Sequence, residues 1–373
     1  MTVTEATDQQ AWDFFLSRQQ FRPFLQSWTM GEVYRDTQQE PIRLEVHEDG
    51  EIVAICQAIV VPAKRGRHLS IPYGPLVSNQ ESLDVLLQEL KRIARQQHCT
   101  FMRMSPFLPA KASAKAGWPP AESQPSPLHL LAEHLWYLPL QTPDPWQPTQ
   151  TSNEQRATSN ESPTAVIEES LLKNMRKTTR NLVRRAERDG VTIETSSDPN
   201  RDIEHFLALH EETRQRHGFT PYTHEFFRSQ IRRFSERGEC TVYLARYQGE
   251  IAAASIHMHA FGETSYHHGA STHRLSKVPA SYLLQWTAIR DALRRGDRVY
   301  NFWGIAPLQE KNDEQLQATS YKLQAHPFAG VTLFKTGFGG SLLPLTHCVD
   351  FPLSARYHLT RAFELLRKWR RGF

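Results

Sequence analysis

Two stretches of this chain, LEVHEDGEIVAICQAIV at residues 44–60 and VYLARYQGEIAAASIHMH at residues 242–259, carry the pattern that decides its fold. In each, apolar runs on both sides of a Gly-Glu-Ile turn are typical of a β-hairpin. Gly50 and Gly249 are 199 positions apart, and at this offset each hairpin is followed by a helical pattern and a further strand. The shared order predicts two copies of one α/β domain, although coincidence between short matches is the alternative.

A low-complexity stretch separates the two copies. Residues 141–164 consist almost wholly of Pro, Thr, Ser, Gln, Asn and Glu, which cannot bury enough apolar surface to offset the entropy of ordering. We therefore expect a flexible insertion or linker over 141–164, an N-terminal domain over 1–150 and a C-terminal domain over 165–373. The final strands and C-terminal helix of the latter could pack back on the first domain.

The composition is that of a globular protein, with 39% apolar and 23% charged residues. No stretch approaches the roughly 20 apolar residues of a membrane span, and the polar, acidic start of the chain is unlike a secretory signal. These features predict a cytoplasmic protein. The 4 cysteines show no CxxC spacing, so we expect free thiols.

A hairpin around an xGEIxA turn, then a helix and a strand, looks like the acyltransferase fold that binds acetyl-CoA. That resemblance implies an α/β (α+β) class with two tandem acetyltransferase-like (GNAT-like) domains, each a mixed sheet flanked by helices. The Q/R-x-x-G-x-G/A turn that would hold the cofactor's pyrophosphate at a helix N-terminus is present in neither copy. Acetyl-CoA is therefore disfavoured, and no cofactor is expected.

Residues 168–189, EESLLKNMRKTTRNLVRRAERD, have acidic residues first, basic residues through the body and Gly190 at the end. This pattern predicts one long helix. Its basic residues at three- and four-residue steps share one face: Lys173, Arg176, Lys177, Arg180, Arg184 and Arg188. Such a strip suits a phosphate backbone, and an ordinary solvated helix face is the competing interpretation.

Four segments together resemble the FemABX family of peptidoglycan bridge-forming aminoacyltransferases. They are FLQSWTMGEVYR at 24–35, SLLKNMRKTTRNLVRRAERDGV at 170–191, YHHGAS at 266–271 and HPFAGVTLFKTGFGG at 326–340. They occur in family order over nearly the whole chain. The interval from Phe226 to Val242 is too short for the long helical arm of some members, so the chain resembles the compact branch without the arm.

The resemblance implies transfer of an amino acid from aminoacyl-tRNA, a co-substrate, to the side-chain amine of a stem-peptide diamino acid. The acceptor would be UDP-MurNAc-pentapeptide or lipid II, bound by the N-terminal domain, while the C-terminal domain binds tRNA and carries out catalysis. Two alternatives stay open: an acyl-CoA-dependent N-acyltransferase on the same fold, and a non-catalytic RNA- or precursor-binding protein.

Carried over residue by residue, the resemblance implies that Arg35 and Arg216 contact precursor phosphate. Arg35 stands where the family usually has a lysine, so the charge is kept but the donor geometry differs. Tyr222 and Tyr266 are implied as further precursor contacts. Lacking the resemblance, each arginine would be read as an ordinary surface residue.

Lys335 matches the family lysine placed near the aminoacyl ester, and Phe334 before it would pack against the terminal adenosine of tRNA. A fixed cation there would stabilise the negative charge that develops on the ester carbonyl oxygen. For an isolated Phe-Lys pair, a core phenylalanine and a solvated lysine would be the simpler interpretation. Asp350 and His268 are candidate proton acceptors, and neither is assigned as the general base.

The histidines at 257, 259, 267 and 268 invite a metal interpretation, but no carboxylate or thiolate stands at ligand spacing and no metal is expected. The C-terminal sequence YHLTRAFELLRKWRRGF, residues 357–373, predicts a basic amphipathic helix. It either packs on the last domain or makes peripheral contact with the anionic inner face of the membrane.

Overall fold

The computed structural model describes residues 1–63, 66–113, 116–147, 163–217, 222–307 and 327–371, with no side chains given for residues 163, 216, 217 and 371. The chain divides into two compact units. Unit 1 comprises Met1–Glu133 and Pro344–Phe373, and unit 2 comprises His134–Leu343.

Unit 1 is built on one mixed sheet with helices beside it. Its strands are β1 (Thr2–Glu5), β2 (Pro41–Glu48), β3 (Glu51–Val61), β4 (His68–Pro72), β5 (Leu76–Val77), β6 (Phe101–Ser105), β7 (Gln124–Pro125) and, late in the chain, β15 (Val349–Pro352). Its α-helices are α1 (Gln9–Ser17), α2 (Trp28–Asp36), α3 (Gln80–Gln96) and, at the end of the chain, α10 (Arg356–Arg371). The strand order is β1-β2-β3-β4-β6-β15-β7, with β5 paired to β3.

Local sequence accounts for the elements of unit 1. Asp49 (φ 50°) and Gly50 (φ 87°) both adopt the left-handed conformation in the β2–β3 turn, as the favoured two-residue hairpin turns require. Asn79 accepts a hydrogen bond from the backbone N–H of Ser82 and so caps α3. The apolar face of α3 is buried with the sheet, and the parallel pairing of β4 with β6 follows from the crossover through this helix.

Unit 2 is built on a second mixed sheet. Its strands are β8 (His134–Pro139), β9 (Thr192–Thr195), β10 (Cys240–Tyr247), β11 (Glu250–Ala260), β12 (Glu263–Ser271), β13 (Val299–Gly304) and β14 (Ser341–Pro344). Its helices are α4 (Pro163–Asn174), α5 (Lys177–Arg188), α6 (Pro199–His217), α7 (His224–Ser235), α8 (Ala280–Arg295) and α9 (Ala329–Thr336). The strand order is β14-β8-β13-β12-β11-β10-β9.

The structure confirms the duplication. The bounds of β10 and β11 lie at an offset of 199 residues from those of β2 and β3. Each hairpin has a register shift at the equivalent place, between Val46 and His47 in unit 1 and between Ala245 and Arg246 in unit 2. A helix then leads to a parallel strand in both units, so the predicted class of two tandem acetyltransferase-like domains, each a mixed sheet flanked by helices, is confirmed.

The compact units do not follow the boundary expected near residue 150. β8 precedes that boundary but pairs with β13 in the unit 2 sheet, while β15 pairs with β6 and β7 in unit 1. Within the predicted linker, Trp146 is buried in unit 2 and donates a hydrogen bond to Glu263. Most of the remainder, residues 148–162, lies outside the described residues.

Three smaller expectations from the sequence can be compared with the structure. The cysteines are free and buried, as predicted. α7 ends at Ser235 and β10 begins at Cys240, so the described chain has no long helical arm in that interval. Within the described residues, no helix is both long enough and apolar enough to cross a membrane.

Candidate active site

The strands β12 and β13 of unit 2 pair at one end and separate at the other. Their parallel register runs from Glu263 with Val299 to Ser265 with Asn301, whereas β12 continues to Ser271 and β13 to Gly304. Where paired strands part, backbone groups are released from the ladder and side chains can enter. The parting of β12 and β13 is therefore the place in unit 2 where the sheet itself offers a site.

Lys335 reaches both strands at this place. It lies in the last turn of α9, and its Nζ donates a 2.7 Å hydrogen bond to the carbonyl oxygen of Gly304 on β13. The same Nζ lies 5.7 Å from the centroid of the Tyr266 ring on β12, within cation–π range. Only 7% of Lys335 is exposed, and burial lowers the pKa of its amine to about 7.

A local irregularity of β13 accompanies the Gly304 carbonyl. The register of β13 against β8 shifts between Asn301 and Gly304, and Trp303 has a φ of 68°. The Asn301 side chain accepts a 2.8 Å hydrogen bond from the backbone N–H of Trp303 and holds this conformation. A non-glycine residue in the left-handed region costs about 1 to 2 kcal/mol, and such strain concentrates at functional sites.

Tyr266 is held from two sides. Its ring stacks on His257 with centroids 5.3 Å apart, and burial raises the pKa of its phenol to about 12. A Cβ at position 269 would collide with the Tyr266 hydroxyl. Gly269 therefore leaves the space that this hydroxyl occupies, a requirement that the YHHG segment alone did not reveal.

Phe334 and Lys335 are neighbours with different surroundings. Phe334 is half-buried and packs on the rings of Tyr282 and Phe338, at centroid distances of 5.0 and 5.4 Å. Its exposed part is free to meet a ligand. The simpler interpretation of the Phe-Lys pair was a core phenylalanine and a solvated lysine. It is right in part, because Phe334 packs at the edge of the hydrophobic core, whereas Lys335 is buried rather than solvated.

The basic segment that we expected to be one helix is two, and that expectation is wrong. Arg176 is extended (φ −55°, ψ 136°) and separates α4 from α5. Its backbone N–H donates to the carbonyl of Gly337, and its guanidinium donates to the carbonyl of Leu333. Arg180 caps the end of α4 by donating to the carbonyls of Leu172 and Lys173. Tertiary hydrogen bonds replace the helical ones at this break.

This break places the basic segment against α9. Arg176 contacts the turn of α9 that carries Lys335, so two groups that lie far apart in the sequence are joined in one region of unit 2. Lys173, Lys177 and Arg184 are exposed. Arg176 and Arg180 are half-buried, and their hydrogen bonds to backbone carbonyls contribute to the fold. Lys173, Lys177 and Arg184 present their charge to solvent.

The other expected precursor contacts are distributed unevenly. Tyr222 is 48% exposed, stacks on Phe226 at 4.4 Å and lies 5.9 Å from the ring of His268 on β12. The Arg216 side chain lies outside the described residues. Arg35 belongs to unit 1, at the end of α2, where Glu32 and Glu40 both pair with it and raise the pKa of its guanidinium.

The histidines and the candidate proton acceptors have clear surroundings. His257 is buried and hydrogen-bonds through Nε2 to the Tyr300 hydroxyl, as a core histidine does. The Nε2 of His268 is buried with no hydrogen-bond partner among the described residues, and burial holds its pKa well below the usual value. Asp350 is buried in unit 1 on Arg103 and Tyr357, so its oxygens are engaged in structure.

Comparison with known proteins shows which family this chain belongs to. The model of the FemAB family matches residues 7–250 and 237–364, which is nearly the whole chain. The chain belongs to the FemAB family. It is thereby an acyltransferase of the kind that builds peptidoglycan bridges. No curated protein matches the sequence significantly.

Solved structures show that this FemAB family member shares its fold with several proteins. FemX superposes with a TM-score of 0.74 at 17% identity, over 98% of this chain and 100% of FemX. A conserved protein of unknown function from Bacteroides thetaiotaomicron gives 0.56 at 11% identity, over 93% and 97% of the two chains. The C-terminal domain of a putative lysylphosphatidylglycerol synthetase from Agrobacterium fabrum gives 0.52 at 16%, over 96% of each.

Proposed function

We propose that this FemAB family member transfers an aminoacyl group from aminoacyl-tRNA to the side-chain amine of a stem-peptide diamino acid. The acceptor is a peptidoglycan precursor, UDP-MurNAc-pentapeptide or lipid II. The observation that carries the proposal is the buried Lys335 ammonium at the parting of β12 and β13, next to a segment with exposed basic residues.

Lys335 suits aminoacyl transfer because of what the reaction does to charge. The acceptor amine attacks the ester carbonyl, the carbonyl oxygen becomes negative, and the bond to the tRNA ribose oxygen then breaks. A cation held in a water-poor site stabilises that oxygen more in the transition state than in the ester. The Gly304 carbonyl and the Tyr266 face hold the Lys335 amine without neutralising it.

The exposed basic residues support tRNA as the molecule that carries the donated aminoacyl group. Lys173, Lys177 and Arg184 are exposed, and Arg176 links their segment to α9. Cations in a row bind a phosphate backbone through counterion release, whatever its sequence. Phe334, half-buried beside Lys335, offers an aromatic face on which a terminal base can stack.

One assay separates the candidate functions. The purified chain is incubated with labelled aminoacyl-tRNA or acyl-CoA and with each precursor, and the product is followed by label and mass. Transfer from aminoacyl-tRNA supports the proposal, and transfer only from acyl-CoA would replace it with the cofactor-dependent reaction. Binding of RNA or precursor with no transfer from either donor would leave a non-catalytic binding protein.

Variants make this assay specific. Lys335→Met keeps the length of the side chain and removes the charge, so we expect turnover to fall by about 100-fold or more, as for loss of one oxyanion-stabilising donor. Lys111→Met, at an exposed lysine of unit 1, is the matched control. Equal turnover in both variants would remove Lys335 from the mechanism.

For the precursor itself, we propose that Arg35, Arg216, Tyr222 and Tyr266 contribute to binding. Arg35 is 43% exposed in its side chain and keeps a solvent-facing part despite its two carboxylate partners. An Arg216→Ala variant that binds UDP-MurNAc-pentapeptide as tightly as the parent, measured by calorimetry, would exclude that residue from the binding site.

We also propose peripheral contact between α10 and an anionic membrane, which would suit a lipid-linked acceptor. Leu359, Leu366 and Trp369 recur at helical spacing on α10 and are 75%, 47% and 80% exposed. Basic residues lie on the same helix: Arg356, Arg361, Arg367, Lys368, Arg370 and Arg371. An apolar stripe beside cations is the composition of an interfacial helix.

A further inference from the structure

A cluster of two imidazoles and a carboxylate lies in unit 1, apart from the candidate active site. His129 Nδ1 and His347 Nδ1 each lie 2.9 Å from Oε2 of Glu133. One ligand atom of each residue can be chosen so that all three lie within 4.8 Å of one another. Ligands that bind one zinc ion at about 2 Å are roughly 3 to 4 Å apart, so a small separation of each nitrogen from Oε2 would admit a shared ion.

The ring of His347 has acceptors on both sides. Its Nε2 lies 2.8 Å from the carbonyl oxygen of Ser126, and its Nδ1 lies 2.9 Å from both oxygens of Glu133. A neutral imidazole carries one N–H, which the Ser126 carbonyl takes. Its other nitrogen would then point a lone pair at the Glu133 carboxylate, an arrangement that is stable only with a proton or a metal cation between the two groups.

The surroundings hold these groups as metal ligands are usually held. A ligating histidine commonly donates its second ring N–H to a backbone carbonyl, as His347 can to Ser126. Glu133 is 7% exposed, and its Oε1 accepts a 3.0 Å hydrogen bond from the backbone N–H of Cys348, which leaves Oε2 for the shared position.

We propose that His129, Glu133 and His347 form a binding site for a divalent cation of the zinc class. Two imidazole nitrogens with one carboxylate oxygen favour Zn²⁺ or Co²⁺ over Mg²⁺ and Ca²⁺, which prefer oxygen ligands. The side chain of His129 is 54% exposed, so the site is open to solvent on its side. This site departs from the expectation that the chain binds no metal.

The bound ion would join two segments that are distant in sequence. Glu133 and His347 are 214 positions apart, and backbone hydrogen bonds already connect their segments, from Leu345 N–H to the Glu133 carbonyl and from Ser126 N–H to the Cys348 carbonyl. A cation at this place stabilises the return of the chain into unit 1. We therefore assign it a structural effect, independent of acyl transfer.

Metal titration of the full-length protein tests the site. After chelator treatment, the protein is titrated with Zn²⁺ by calorimetry and with Co²⁺ by visible absorption, and we expect one equivalent to bind. His129→Ala, at an exposed ligand, and His347→Gln, at a half-buried one, should each weaken that equivalent by at least about 10-fold. Circular dichroism verifies that each variant is folded.

The controls address the other histidines of the chain, which number 17 in all. His98→Asn changes an exposed histidine of unit 1 outside the cluster and should leave Zn²⁺ binding unchanged. Zn²⁺ should raise the unfolding midpoint of the parent protein but not that of His129→Ala. If the parent binds no more Zn²⁺ than the cluster variants, a proton alone bridges these side chains and the proposal is overturned.

Discussion

Burial of Lys335 links the stability of the protein to pH. Its pKa falls from 10.5 to about 7 because the folded chain removes the ammonium from water. The unfolded chain therefore binds more protons between these two values, and stability rises with pH across that window. Below pH 7 the ammonium is charged in both states, and the full cost of its burial is present.

Lys335→Met should accordingly stabilise the protein, and more so at low pH. From the two pKa values, the gain in unfolding free energy should be about 2 to 3 kcal/mol larger at pH 6 than at pH 9. Urea denaturation at both pH values measures it. A gain that is the same at pH 6 and pH 9, or a loss at both, would contradict the buried ammonium.

Gly269 offers a second test at the residue scale. Gly269→Ala places a methyl group where the Tyr266 hydroxyl lies, so the ring beside Lys335 must move. A displacement of about 1 Å at a reacting group can lower turnover by about 100-fold. Gly330→Ala is the control, because an added Cβ there meets nothing within 4 Å. We expect kcat to fall in the first variant alone, and thermal unfolding of the control to stay the same or rise slightly, because Gly330 lies in α9 and alanine favours a helix.

Among the elements, the segment α4–α5 makes the clearest prediction. Replacing Lys173, Lys177 and Arg184 together by glutamine should weaken tRNA binding. It should also reduce the slope of log affinity against log salt by up to about one for each phosphate that is no longer neutralised. Fluorescence titration of labelled tRNA over a range of salt concentrations measures both. The same change at three exposed cations of unit 1, Arg18, Arg92 and Lys111, provides the control. An unchanged slope in the first variant would show that this segment does not bind the RNA.

The exposed stripe of α10 makes a separate prediction about membranes. The chain should co-sediment with vesicles that contain phosphatidylglycerol and not with purely zwitterionic vesicles, because both the apolar stripe and the cations contribute. Trp369→Ala should reduce the bound fraction, since that side chain is 80% exposed and its loss leaves the fold intact. Equal binding to both kinds of vesicle would exclude the charge contribution.

At the scale of the whole molecule, the return of residues 344–373 into unit 1 depends on a buried ion network. Arg103 on β6 pairs with Asp350 on β15 at 2.8 Å and with Glu364 on α10 at 2.7 Å. Asp350→Ala leaves a buried guanidinium with fewer partners and should lower the unfolding free energy by about 3 kcal/mol or more. Chemical denaturation measures this loss.

The same variant tests whether Asp350 acts in the reaction. Asp350→Ala should retain the kcat of the parent per folded molecule at a temperature where it remains folded, because the residue is held by Arg103 and Tyr357 in unit 1. Loss of kcat without loss of folded protein would restore Asp350 as a proton acceptor. Glu364→Gln, at the outer end of the network, should be milder on stability.

What the amino-acid sequence determined by itself was local or repeated. Turn residues such as Asp49 and Gly50 specify the first hairpin through their own backbone preferences, and the offset of 199 residues carries that pattern to the second copy. The helices α3 and α8 follow from apolar spacing over a few turns. The family segments then indicated Lys335 and Phe334, because their residue types stand together in the chain.

Only the tertiary structure decided the features that depend on distant contacts. Arg176 leaves the helical conformation that its neighbours favour because Gly337 and Leu333 supply other hydrogen-bond partners. The Lys335 amine is buried, and its hydrogen-bond partner, the Gly304 carbonyl, comes from the distant strand β13. β8 pairs in the sheet beyond the boundary that chain order predicts, and the structure decides between the two possibilities for the final strands by pairing β15 in unit 1. The cluster of Glu133 with His347 likewise joins residues 214 positions apart. Pairing across such separations is selected by packing and hydrogen-bond geometry in three dimensions, to which local sequence patterns do not respond.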